Sequence, residues 1–117
     1  MNFTIHKASS QINVDILSFT KDPCTEAPCK TEGSEKYTHF VITLAVTNLG
    51  FTAGANIQVD AKATQGLEIN DVLDESSTPV TIDNPITTLS IGDLQPIQTK
   101  LYYVYAQIAT STYSSLP

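Results

Sequence analysis

Tryptophan is absent from this chain of 117 residues, methionine occurs once, and glycine only five times. Charge is also scarce, at 15% of residues against roughly 25% in an average soluble domain. Cations are the scarcer sign, with six Lys and Arg facing twelve Asp and Glu, a net charge of −6. The nearest approach to a basic cluster is Lys30 and Lys36, and Glu32 and Glu35 stand between them. An acidic chain repels phosphate backbones and anionic lipid, so neither nucleic acid nor a membrane surface is expected as a partner. No run of about 18 apolar residues is present, so no membrane insertion is expected either. Met1–Lys7 lacks a basic start followed by an apolar stretch and does not form a secretory signal. Both ends read as natural ends, which suggests a small complete protein, or one whose leader has been removed.

Chemical motifs are missing too. There is no Gly-x-Ser-x-Gly elbow, phosphate-cradling glycine loop, His-Glu-x-x-His or Cys-x-x-Cys. His6 and His39 each stand without a locally paired acid or nucleophile. His39 lies on a long predicted strand, opposite in phase to Phe40, and is expected to face solvent or a partner. No catalytic residue, cofactor or metal site is assigned, and the expectation is that the protein is not an enzyme. Asp71, Asp74, Glu75 and Asp83 could cluster at one end of a β-domain to bind calcium, but the spacing of a calcium loop is absent and a solvated acidic loop is favoured. Asn2-Phe3-Thr4 is a glycosylation sequon in form, best read as chance.

Cys24 and Cys29 lie in Asp-Pro-Cys-Thr-Glu-Ala-Pro-Cys-Lys. Three readings stay open. A local disulfide is geometrically allowed and would stabilise modestly, since so short a loop removes little unfolded-state entropy. Free thiols are the second reading. Half of a zinc site is the third, and it lacks ligands beyond His6 and His39. A disulfide would imply an oxidising location.

The scarce charge is replaced by hydroxyls, with sixteen Thr and ten Ser. With Val, Ile and Tyr these suit a pleated, half-buried surface and argue against a helical bundle. Length allows one domain with a real core. Period-two alternation marks the strands. Ile12–Phe19 puts Ile12, Val14 and Ile16 on one face. A polar loop over 21–36 follows. Tyr37–Asn48 puts Phe40, Ile42, Leu44 and Val46 on one face and Val41, Thr43, Ala45 and Thr47 on the other. Asn48-Leu49-Gly50 is a turn needing unusual backbone angles. Ile57–Ala61 is a short strand, and another begins at Leu67. Asp71–Pro79 reads as loop or weak edge. Val80–Ile82 and Thr88–Ile91 are short strands around Asn84-Pro85. Thr99–Ala109 is the long last strand, and 110–117 a polar, extended tail. Seven or eight short strands with no convincing helix predict a sandwich or barrel.

The last strand is apolar on both faces. Tyr102, Val104, Ala106 and Ile108 form one row, and Leu101, Tyr103 and Tyr105 the other. The second row is either a cover for the core sheet or a contact surface. Tyrosine offers wide amphipathic area at low entropy cost, so Leu101, Tyr103 and Tyr105 are the candidate protein interface.

From Phe40 onward the order Val46-Thr47-Asn48-Leu49-Gly50, Ala55-Asn56-Ile57-Gln58-Val59-Asp60, Gly66-Leu67 and Leu89-Ser90-Ile91-Gly92-Asp93-Leu94 resembles a known pattern. It is similar to the immunoglobulin-like "conserved repeat" and CARDB-type domains of bacterial and archaeal surface proteins. The likeness runs from Phe40 to Ile108, about 70 of 117 residues. Lys62-Ala63-Thr64-Gln65 and Gln95-Pro96-Ile97 depart from the Leu-Pro and Pro-Gly usual there. The resemblance implies an all-β, immunoglobulin-like β-sandwich of about seven strands, in a single domain over 1–117. Such a fold hosts many functions. The expected function is a non-enzymatic structural or accessory module of a large assembly. A phage virion decoration or auxiliary capsid protein comes first, and a cell-surface adhesion or stalk module second. The partner is then a capsid or surface assembly, or copies of the chain itself. A carbohydrate-binding module is the reading from another class, and the lack of Trp counts against it.

Overall fold

A computed structural model describes residues 1–7, 9–22 and 36–116. Seven strands form in chain order: β1 (Asn2–Lys7), β2 (Ile12–Lys21), β3 (Tyr37–Asn48), β4 (Gly54–Thr64), β5 (Glu68–Asp74), β6 (Ile86–Leu94) and β7 (Thr99–Ala109), followed by a short helix α1 (Thr110–Ser114). They make a three-stranded sheet, β1-β4-β6, and a four-stranded sheet, β2-β3-β7-β5. Every pairing is antiparallel. The expected all-β sandwich of about seven strands is therefore what the chain forms. Among the described strands only β2 and β3 follow one another within a sheet. Each other connection crosses between layers, which ties the two sheets together.

The core lies where the inward rows meet. Phe40, Ile42, Leu44 and Val46 of β3 are buried, as are Tyr102, Val104, Ala106 and Ile108 of β7. Val59, Ala61, Ala63, Leu89, Ile91 and Leu94 face them from the other sheet. The small Ala61 and Ala63 pair with Ile5 and Phe3 on β1, so large and small groups alternate across the layer. An aromatic chain closes one side, with ring centroids 6.2 Å apart for Phe3–Phe19, 5.3 Å for Phe19–Phe40 and 5.6 Å for Phe40–Tyr113.

Several local expectations change. Ile12 is buried but Ile16, predicted on the same face, is 47% exposed. A bulge between Ile16 and Ser18 shifts the register, so beyond it Phe19 rather than Ser18 pairs with inward-facing Ile42. β1 was not expected, yet Phe3 and Ile5 alternate inward on it. Of the two readings for 71–79, loop or weak edge, Asp71–Asp74 takes the second: β5 runs through to Asp74 as the edge strand of its sheet, and the turn begins beyond it. Val80–Ile82 is not a strand. Pro79 lacks the N–H needed to extend a ladder, and the segment is a strap along the β5 edge, with Val80 N–H donating to Val72 O at 2.8 Å and Asp74 N–H to Thr78 O at 3.1 Å. The Asn84 amide completes that edge, accepting from Ile69 N–H and donating to Ile69 O, both at 3.0 Å. The tail is not extended: residues 110–114 turn helical because Tyr113 packs on Phe40, with the Lys21 ammonium 5.0 Å from its ring centroid.

Asn48 and Gly50 also act differently from expectation, since neither has a positive φ. Asn48 is fully buried, and its side chain is a junction. Oδ1 accepts from Gly50 N–H at 2.9 Å and from Gln11 Nε2 at 2.8 Å, while Nδ2 donates to Thr52 O at 2.9 Å and Leu94 O at 3.0 Å. A Cβ at Gly50 would meet the Gln11 side chain and displace it from its bonds to Asn48 and Thr52. Gly92 is at φ +80 within β6, opposite a register irregularity around Ile57.

Candidate contact face

The outer face of the four-stranded sheet assembles by register alone. Thr43 pairs with Tyr103, Val41 with Tyr105, Ala45 with Leu101 and His39 with Gln107. On the far side of β7, Leu73 stands opposite Tyr103 and Asp71 opposite Tyr105. On β2, Asp15 stands opposite Ala45 and Ser18 opposite Thr43. Leu101, Tyr103 and Tyr105 thus sit together in the central row, as predicted, and all three are half-buried. Val41 and Leu73 belong to the same patch and were not singled out from sequence. The alternation had already put Val41 on this face, and only the β3–β7 and β5–β7 pairings bring these side chains beside the tyrosines.

Side-chain bonds stiffen the patch. Thr47 and Thr99 hydroxyls lie 2.7 Å apart, Ser18 donates to Thr43 at 3.1 Å, and Asn70 donates to Gln107 at 3.1 Å. Leu101 N–H donates to the Glu75 carboxylate at 2.7 Å, so the row begins at a fixed point. Such cross-strand contacts each contribute about 0.2–1 kcal/mol.

The charge on this face is of one sign. Asp15, Asp71 and Glu68 project from it by register, and Asp22 is near enough to act on Tyr105. Burial first, then the Asp22 and Asp71 carboxylates and the Tyr103 phenol, push the Tyr105 phenol above the ordinary tyrosine value. The strand lysines lie in the opposite phase. Lys100 donates to Ile91 O at 2.9 Å and Lys21 covers the Tyr113 ring.

His39 corrects an expectation. It belongs to this face but is 5% exposed, and among the described residues its Nε2 has no hydrogen-bond partner. The register sets it beside Gln107, and the Tyr37 ring centroid lies 6.5 Å away. A position expected to face solvent or a partner is thus buried.

The four acids considered for calcium do not converge. Asp71 lies on the outer face. The Asp74 carboxylate accepts from Ser76 and Thr78 N–H, both at 2.9 Å, to build its own turn. Glu75 holds Leu101. Asp83 sits at the other end of β5, where its N–H donates to Thr87 at 3.1 Å. Among the described residues no three His, Cys, Asp or Glu are placed to hold a metal ion, and no helix is long and apolar enough to cross a membrane. A polar cleft of about 370 Å³ opens beside the Glu75–Leu101 contact, with Asp74, Ser90 and Lys100 in its walls. The candidate disulfide of Cys24 and Cys29 lies outside the described residues.

The outer face of the three-stranded sheet differs. Asn2, Thr4 and His6 on β1, Gln58, Asp60, Lys62 and Thr64 on β4, and Ile86, Thr88 and Ser90 on β6 make it up. Thr88 donates to Asp60 at 2.7 Å. Among its described strand residues the one aromatic ring is His6.

These features define a two-layer β-sandwich with one aromatic, acid-flanked face. The chain matches no family model, no curated protein and no solved structure.

Proposed function

We propose that this domain is a non-enzymatic structural module exposed on a large assembly, with a phage virion as the first placement, where it would be a decoration or auxiliary capsid protein. The observation that carries the reading is the Leu101–Tyr103–Tyr105 row, wide amphipathic area on a stiff sheet face whose strands present no lysine. A face of this kind can be buried against a protein surface with few ions desolvated, and Tyr is enriched in such contacts. The acids beside it favour a partner surface of positive potential. Placement on a microbial cell surface is the second reading, favoured by the resemblance of Phe40–Ile108 to surface-protein repeats.

Purification of phage particles from a culture producing the chain tests the proposal. A fixed, stoichiometric copy number on particles is the expected result, lost on combining Tyr103→Ala with Tyr105→Ala. A chain that stays off particles and binds glycans on an array overturns it, and one recovered with cell envelopes selects the second placement.

A further inference from the structure

One end of the sandwich is unlike the rest of the surface. Three loops meet there, 9–11, 49–53 and 95–98, and none carries an ionisable side chain. They are locked together through Asn48. Its N–H donates to Gln98 O at 3.1 Å, its O accepts from Ile97 N–H at 2.7 Å, and Leu49 N–H donates to Gln11 O at 2.8 Å. From this rigid end project three large apolar side chains: Phe51 at 101% exposure, Ile97 at 71% and Leu49 at 56%. Ile97 is also held at φ +66, a left-handed conformation that a β-branched residue adopts only at a cost. Folding alone gives no reason to place isoleucine there, since it buries little and is strained.

Beside this tip runs a mainly apolar groove of about 280 Å³, with Ile12, Gly54, Ala55 and Ile57 in its walls. Gln11 also lines it and donates to Thr52 O at 2.8 Å, so groove and tip share one frame. Gly54 lets Ile57 pack close to the backbone, since a Cβ there would lie 2.8 Å from Ile57 Cδ1. A cavity of about 150 Å³ suffices for benzene, so the groove has volume enough for a phenyl ring. Phe51 is fully exposed, so its own groove does not hold it.

We propose that two copies of this chain associate end to end, each placing Phe51 in the groove of the other. Charge favours a second copy as the occupant. Each chain carries −6, yet this end is electrically balanced, with Lys7 on the groove wall and Asp93 accepting from Asn56 N–H at 3.1 Å. Two copies meet here with the least repulsion, whereas the acid-flanked sheet face would oppose self-contact. The exchange is reciprocal, as a two-fold contact requires. A contact built on one aromatic anchor per chain is small beside the about 800 Å² per partner of a standard interface, so the association is weak.

Sedimentation velocity of the full chain over about 1 μM to 1 mM tests this. A reversible monomer–dimer equilibrium is expected. Phe51→Ser is expected to raise the dissociation constant at least about tenfold without moving the unfolding midpoint. Ala55→Glu, at the groove and exposed, should do the same from the socket side. A chain that stays monomeric throughout, or a dimer that either variant leaves intact, overturns the proposal. The Tyr103 and Tyr105 changes are expected to leave the dimer alone, which separates this contact from the sheet face.

Discussion

The two outward faces of the sandwich come from the same alternation of strand residues, yet they carry different chemistry. The four-stranded face presents Leu101, Tyr103, Tyr105, Val41 and Leu73 with Asp15, Asp71 and Glu68. The three-stranded face presents short hydroxyls, amides and a Thr88–Asp60 bond, with Lys62 and His6 supplying the opposite charge. A sheet whose outer side only meets water has no need of tyrosines, and the second face shows what suffices for that. Of the two faces, the first therefore carries apolar area that folding does not demand.

The largest expected effect comes from the interior that both faces share. Leu44→Ala should cost about 3 kcal/mol, seen as a lower denaturant midpoint, because a fully buried side chain between the sheets leaves a cavity. Tyr103→Ala combined with Tyr105→Ala should cost about 1–2 kcal/mol while removing particle attachment. Complete unfolding of that variant would make the row part of the core and erase the contrast. His39→Leu should be neutral or stabilise by about 1 kcal/mol, since it removes a buried nitrogen without a partner among the described residues. Asp60→Asn on the opposite face should change stability by less than about 0.5 kcal/mol and leave attachment intact.

Alkali gives a further contrast. Tyr102 and Tyr105 are both pushed above the ordinary phenol value of 10.0, chiefly by burial and then by carboxylates, Asp74 and Glu75 for Tyr102 and Asp22 and Asp71 for Tyr105. Their unfolded phenols ionise first. The stability they contribute is therefore full below pH 10.0 and is lost as pH rises through their higher folded values. Unfolding midpoints followed between about pH 9 and 11 should fall, and Tyr105→Phe should flatten that fall. No tyrosine stands among the strand residues of the three-stranded face.

Much of the fold is legible in the residues because period-two alternation is strong where strands are long. β3 and β7 follow the alternating rows with the expected boundaries. Short elements are less legible. β1 has two inward residues, Phe3 and Ile5, too few for a pattern to stand out, and Val80–Ile82 has strand composition but serves as a strap because Pro79 and the Asn84 amide end the ladder. The Ile16–Ser18 bulge reverses the phase of β2, and no composition announces a bulge. Of the contact face, the Leu101–Tyr103–Tyr105 row was readable from β7 alone, whereas Val41, Leu73 and the acids join it only through non-local pairing. His39 was expected to be open because alternation reports which face a residue takes and not how far that face is covered. The apolar tip at Phe51 and Ile97 gives no periodic signal, as it depends on loops brought together by Asn48.

Radical footprinting of the chain free and on purified particles tests the central claim most directly. Tyr103 and Tyr105 should lose reactivity on the particle, while Ile86, exposed on the opposite face, keeps its own. Protection of Ile86 with both tyrosines still reactive would contradict the assignment of the four-stranded face as the contact surface.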